Sequence, residues 1–168
     1  MKFLFDTTYI LPLFGLKIKD LSNYSVITNH IWYKTIPDLE VILPTICLTE
    51  AMYKLIQEYK KKNDYNILKR YSLTIPTILS SPNLKVFDPQ IDPIASNIAM
   101  LIRHMGHLDI QDCLIAASAT ALNCIFLTED IELTKKMQDL PETKEIKICN
   151  WKKFNQIIMR TIKDSSTL

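Results

Sequence analysis

The residues from Ile110 to Leu122 leave this chain few folds to choose from, because they are small or aliphatic on almost every side. A helix with no polar face has to be packed on more than one side. Ala116, Ala117, Ala119 and Ala121 would let this one lie close against a sheet. Directly after it, Cys124-Ile-Phe-Leu127 is the continuous apolar run of a strand buried on both faces, as in a parallel α/β sheet. Two acids, Asp109 and Asp112, stand where the helix begins, and Asp130 stands where the strand ends. Ligand sites in open α/β sheets lie at the carboxyl ends of the strands, so the position of every other acid matters.

The remaining segments repeat the alternation. Phe3-Leu-Phe5 is a buried strand ending in Asp6, and a helix is expected from Thr7 to a C-terminus at Gly15. Leu21, Tyr24, Ile27 and Ile31 recur at helical steps until Pro37. Glu40 to Leu43 reads as a second strand. A helix from Thr45 follows, with Glu50 near its start and Met52, Leu55, Ile56 and Tyr59 as its apolar face. A further helical stretch through Ile67, Leu68 and Tyr71 exits at Pro76 and Pro82. Leu84 to Phe87 is a third strand. Asp92-Pro93 opens a helix whose inner face is Ile94, Ile98, Leu101 and Ile102 and which ends at Gly106. After the fourth strand come a short helix over Ile131 to Met137, an alternating edge strand over Glu145 to Ile148, and an amphipathic helix from Trp151 to Ile162. Strands alternating with helices in this way predict a three-layer α/β/α sandwich around a parallel sheet of about five strands. One domain is expected over residues 1–163, with 164–168 a frayed tail.

Bulk properties narrow the function classes. A chain of 168 residues is long enough for one sizeable core. A net charge of +2 does not by itself announce nucleic acid, so any basic surface must come from clustering. Cys47, Cys113, Cys124 and Cys149 show no C-x-x-C pairing, which fits buried thiols in a reducing compartment better than a disulfide framework or a zinc site. Asp6 breaks the apolar N-terminus where a signal peptide would continue. No segment approaches the ~20 apolar residues of a membrane span. The expectation is a cytoplasmic protein with no membrane association. With two glycines there is no phosphate-cradling loop. Ser118 and the other hydroxyls lack a histidine partner nearby in the sequence, so a nucleophilic triad has no support.

Four acids at element ends are placed to converge. Asp6 follows the first strand and Asp130 the fourth, while Asp112 and Glu50 lie early in helices that start from the same sheet edge. If strands one and four are neighbours, they lie about 4.8 Å apart, and both carboxylates can reach one cation. Several carboxylates without cationic partners raise one another's pKa. A hard divalent ion with oxygen ligands removes that repulsion, and a pair of such ions can assist phosphodiester cleavage. A structural role competes at each position: Asp109 as an N-cap, Asp112 through the helix dipole, Asp130 as the cap of the next helix. Asp88 also ends a strand and is most simply a cap. Asp6 is the hardest to explain that way, since it directly follows a buried strand where an unpaired charge is costly.

Asp6-Thr-Thr-Tyr-Ile-Leu, Glu50, Asp112-Cys-Leu-Ile-Ala-Ala-Ser-Ala and Leu127-Thr-Glu-Asp130, in this order over nearly the whole chain, resemble a PIN-domain nuclease of the VapC toxin type. The resemblance implies a sheet of order 3-2-1-4-5. It also implies catalytic, metal-binding acids at Asp6, Glu50, Asp112 and Asp130, with a supporting hydroxyl at Thr128. It further implies Mg²⁺ or Mn²⁺ as cofactor, RNA as substrate, a homodimer, and a small antitoxin protein as partner. Thr7 and Asp109 stand beside the acids as supporting residues, Asp109 either for the metal or only as the cap. A non-catalytic PIN-like module that binds RNA or protein, and a PIN nuclease of RNA processing, stay open as alternatives. An Asp-based phosphatase is disfavoured, because position 8 is Thr where D-x-D needs an acid.

Secondary signals concern the substrate. Arg103 and His104 are candidates for RNA contact. So are Lys60, Lys61 and Lys62, which with Lys69 and Arg70 form the densest basic cluster, although a solvated helical face is the simpler account. His104 and His107 are three apart, but Gly106 between them is expected to end the helix, which weakens a metal-binding pair.

Overall fold

The computed structural model describes residues 1–165, and of the tail expected at 164–168 the last three residues lie outside the described residues. Five strands make one sheet: β1 (Lys2–Phe5), β2 (Glu40–Pro44), β3 (Leu84–Phe87), β4 (Ile125–Leu127) and β5 (Ile148–Cys149). Their order is β3-β2-β1-β4-β5, and every pairing is parallel. The helices are α1 (Tyr24–Tyr33), α2 (Thr45–Lys62), α3 (Asn66–Leu79), α4 (Pro93–His104), α5 (Ile110–Ala121), α6 (Ile131–Asp139) and α7 (Trp151–Ser165). This is the expected α/β/α arrangement in the expected strand order.

The central position of β1 follows from its side chains, since Phe3, Leu4 and Phe5 are wholly buried. Phe3 and Phe5 meet Phe154 of α7 edge-on at 4.9 and 5.3 Å, and Phe5 also meets Trp32 of α1. Leu4 points the other way by the pleat of the strand. On that side α5 buries Cys113, Ile115, Ala116, Ala117 and Ala119, and touches α2, α4, α6 and β4. The small side chains that make α5 poor in sequence character are what allow this crowding.

Several local readings differ from the structure. Residues 7–14 form two 3₁₀ turns, Thr7–Tyr9 and Leu11–Phe14, rather than an α-helix. Pro12 near the start of the second turn has no N–H to extend an α-helical ladder, and Gly15 closes the segment at φ +77° as expected. α3 runs past Pro76 to Leu79. The inner face of α2 is Ile46, Cys47, Ala51 and Leu55, with Met52 exposed. In α4 Ala95, Ile98, Ala99 and Ile102 face inward while Ile94 is exposed. β5 is two residues long, Ile148–Cys149, because residues 141–146 are turns held by bonds such as Ile146 N–H to Thr143 O.

Candidate active site

The carboxyl ends of β1, β2 and β4 open into one cleft of about 420 Å³. Asp6, Glu50, Asp112 and Asp130 all line it, together with Asp109 and Glu129. Thr7, Thr8, Leu11 and Ile18 complete the wall, and Lys54 is its one cation among the described residues. The four acids expected to converge do so.

The β1–β4 pairing explains why. Phe5 pairs with Leu127, and the N–H of Asp6 donates to Leu127 O at 3.2 Å, so Asp6 leaves the sheet beside Thr128. The Thr128 hydroxyl donates to Asp6 Oδ2 at 2.9 Å and accepts the Asp130 N–H at 3.1 Å. One buried hydroxyl thereby ties the ends of the two central strands together. Glu50 comes from the second turn of α2, and the Thr7 hydroxyl donates to its Oε2. Asp112 lies in the first turn of α5, and His107 Nε2 is 3.3 Å from its Oδ2.

Helix capping separates the acids into two groups. Asp88, expected as a cap, closes a turn by accepting the Gln90 N–H with no helix behind it, whereas Asp92 and Asp109 cap α4 and α5 by accepting a backbone N–H two or three residues on. Asp130 does the same for Leu133 at 2.8 Å while still lining the cleft. Asp6 precedes a 3₁₀ turn and makes no side-chain cap bond. Glu50 and Asp112 accept side-chain bonds from Thr7 and His107. The three acids without capping work are also the three whose carboxyls are pushed up. Burial raises Asp6 to about 7, against the lowering pull of Thr128, and Asp112 and Glu50 add to the rise. Burial raises Glu50 and Asp112 as well, and neighbouring carboxylates, Asp109 among them, push both further.

Such a donor set fits a hard divalent cation: carboxylate oxygens crowded in one pocket, too few cations to neutralise them, and each acid turned onto a weak neutral or imidazole donor. His107, Asp112 and Asp130 also place one donor atom each within 4.8 Å of one another. A larger hollow of about 690 Å³ adjoins the cleft and shares Thr8, Ile18 and Glu129 with it. It contains none of the four converging acids, so the chemistry belongs to the smaller cleft.

The structure does not bring the other expected contacts to this place. Lys60, Lys61 and Lys62 are in the last turn of α2, roughly 15 Å along the helix axis from Glu50 at 1.5 Å per residue. Lys62 pairs there with Glu58 at 2.6 Å. Arg103 and His104 are exposed in the last turn of α4 and do not line the cleft.

Three participants lie outside the residues the sequence assigns to the site. Lys54 follows Glu50 by four residues, a helical spacing that could have shown it. Glu129 holds the loop after β4: its Oε1 accepts from Tyr9 Oη at 3.1 Å and from Trp151 N at 2.8 Å, while Tyr9 stacks on Trp151 at 5.6 Å. His107 is the third: its spacing from His104 suggests only a metal-binding pair, whereas it lies beside Asp112 and Asp130.

A parallel sheet of this order with an acid-lined cleft at its carboxyl edge defines a class of α/β/α domain. Within it, the PIN domain family model matches residues 4–137, and the chain belongs to that family. No curated protein matches the chain. Among solved structures it is similar to VapBC2 from Rickettsia felis bound to a fragment of promoter DNA (15% identity, 90% of this chain and 99% of that one, TM-score 0.58). It is likewise similar to DNA-bound VapBC from Salmonella typhimurium (17%, 90% and 98%, TM-score 0.59) and to PAE2754 from Pyrobaculum aerophilum (17%, 97% and 90%, TM-score 0.58). At these identities the likeness concerns the fold.

Proposed function

We propose that the chain is a divalent-metal-dependent endoribonuclease of the VapC type, the toxin of a toxin–antitoxin pair. The observation that carries this reading is the meeting of Asp6, Glu50 and Asp112, raised carboxyls with no capping work, in one cleft. Membership of the PIN family supports the nuclease reading. The VapBC assemblies among its structural neighbours support an antitoxin as protein partner, and the resemblance to the VapC type carries the expectation of a homodimer.

Asp6, Glu50 and Asp112 would hold Mg²⁺ or Mn²⁺, with Asp130 contributing the oxygen it does not spend on Leu133. When bound, such an ion supplies a water of lowered pKa and charge stabilisation at the phosphodiester. Thr128 and Thr7 hold the Asp6 and Glu50 carboxylates in place, which keeps the acids oriented before substrate arrives. Lys54, the one positive side chain lining the cleft among the described residues, can meet a backbone phosphate, and Leu11 and Ile18 form an apolar wall for a ribose or base. Asp109 stays a cap whose charge raises the neighbouring Glu50 and Asp112.

The cytoplasm is the expected compartment, since four free thiols, all buried, suit a reducing environment. Among the described residues no helix is long and apolar enough to cross a membrane.

The test uses purified protein, freed of any antitoxin, incubated with total RNA and Mg²⁺ or Mn²⁺. Discrete cuts that vanish with chelator and in Asp6→Asn are expected. Intact RNA with both ions, while RNA or a protein partner still binds, would replace this reading with a non-catalytic PIN-like module.

A further inference from the structure

His107 is buried, at 6% exposure, beside an acid cleft that no part of the mechanism above asks it to serve. α4 ends at His104, and Gly106 at φ +92° turns the chain so that the next residue folds inward. Asp109 then caps α5, and Asp112 one turn later faces the ring. Two roles fit an imidazole within 4.8 Å of donor atoms from Asp112 and Asp130. It could be a metal ligand through Nε2, or it could donate a hydrogen bond to a carboxylate that is the ligand.

The far side of the ring decides between them. Nδ1 is buried and has no hydrogen-bond partner. A histidine that binds metal through one nitrogen carries its proton on the other, and that N–H regularly finds an acceptor. Here a proton on Nδ1 would be a donor stranded in the interior, and orphaned buried N–H groups are rarer than unmet acceptors. The proton therefore sits on Nε2 and points at Asp112 Oδ2, 3.3 Å away. That contact fixes how the Asp112 carboxylate is turned where it lines the cleft.

Resting on the metal-site reading above, we propose that His107 is a positioning residue: its Nε2–H holds Asp112 Oδ2 so that the carboxylate is presented to a divalent ion in a fixed orientation. It does not ligate the ion. The role parallels that of Thr128 on Asp6 and Thr7 on Glu50, so each acid without capping work has one side-chain donor.

The test combines two readouts on the full chain. In ¹⁵N-labelled wild type at pH 8, the imidazole of His107 should show its proton on Nε2, protected enough from exchange to be observed, both without ions and with saturating Mg²⁺. A proton on Nδ1, or an Nε2 resonance converted to that of a metal ligand, would overturn the proposal. In Mn²⁺ titrations followed by calorimetry, His107→Phe should weaken binding by about 10- to 100-fold, the usual effect of removing a hydrogen bond to a metal ligand. His107→Gln, which keeps an N–H donor, should stay within a few-fold of wild type. Equal affinity in the Phe variant and wild type would refute the positioning role alone. A wild type that binds neither ion would refute the metal-site reading and with it the purpose of the hydrogen bond. The spectroscopic readout needs no substitution, so it decides the matter even if the Phe variant does not fold.

Discussion

Replacing Asp6 with asparagine should make the ion-free protein more stable and remove its response to metal. The carboxyl of Asp6 is pushed from 3.8 to about 7, chiefly by burial. An acid whose pKa is higher in the folded state binds its proton more tightly there. Its contribution against folding is therefore absent below pH ~4, grows as pH rises from about 4 to 7, and is constant above. At about 1.36 kcal/mol per pH unit, the ceiling is about 4 kcal/mol. Relaxation and water reaching this partly exposed residue reduce that to about 1–3 kcal/mol. Asparagine keeps an oxygen for the Thr128 hydroxyl and carries no charge. In chelator at pH 8 the variant should melt roughly 3–10 °C above wild type, and the gap should narrow towards pH 4. Mn²⁺ at about a thousand times its dissociation constant reverses the order, because it stabilises wild type by about 4.1 kcal/mol and the variant far less. Scanning calorimetry over a pH series, with chelator and with Mn²⁺, measures both effects. A variant less stable than wild type at pH 8 without ions, or one with an equal metal shift, would refute the electrostatic reasoning.

Other substitutions separate the roles within the cleft. Thr128→Val removes the hydroxyl that joins Asp6 to the Asp130 backbone; it should cost about 1–3 kcal/mol in denaturant unfolding and weaken Mn²⁺ binding. Lys54→Met should raise KM for RNA severalfold and leave calorimetric Mn²⁺ affinity unchanged or tighter, since the lysine currently lowers the Glu50 carboxyl; weaker metal binding would show that its role is structural. The triple change of Lys60, Lys61 and Lys62 to alanine should leave kcat on a short RNA unchanged, as these residues lie far along α2 from Glu50. A large fall in kcat would bring them back into the site.

How much of this was legible in the sequence depended on whether the signal was local. The runs Phe3–Phe5 and Cys124–Leu127 carry burial in their composition, and the alanines of α5 carry its close packing, so the buried strands could be read directly, while their adjacency came only from the family resemblance. Asp6 stood out because it directly follows a buried strand, where an unpaired charge is costly. Met52 and Ile94 misled because a helical stripe shows which side is apolar but not how much of that side the sheet covers. Residues 7–14 misled because aromatic and aliphatic spacing is similar in 3₁₀ and α turns, and Pro12 decides between them. His107 was hidden for a different reason. Its burial depends on the positive φ of Gly106 and on how α4 docks against α5, a tertiary outcome that no periodicity records. Glu129 is hidden likewise, since its partners Tyr9 and Trp151 are distant in sequence.

The most direct measurement is an anomalous difference map from a crystal of the full chain grown or soaked in Mn²⁺. The expected result is a peak in the acid cleft at about 2.0–2.3 Å from carboxylate oxygens of Asp6, Glu50 and Asp112, with His107 Nε2 still against Asp112 Oδ2. A cleft without a peak at saturating Mn²⁺, or an ion bound away from these three residues, would contradict the account.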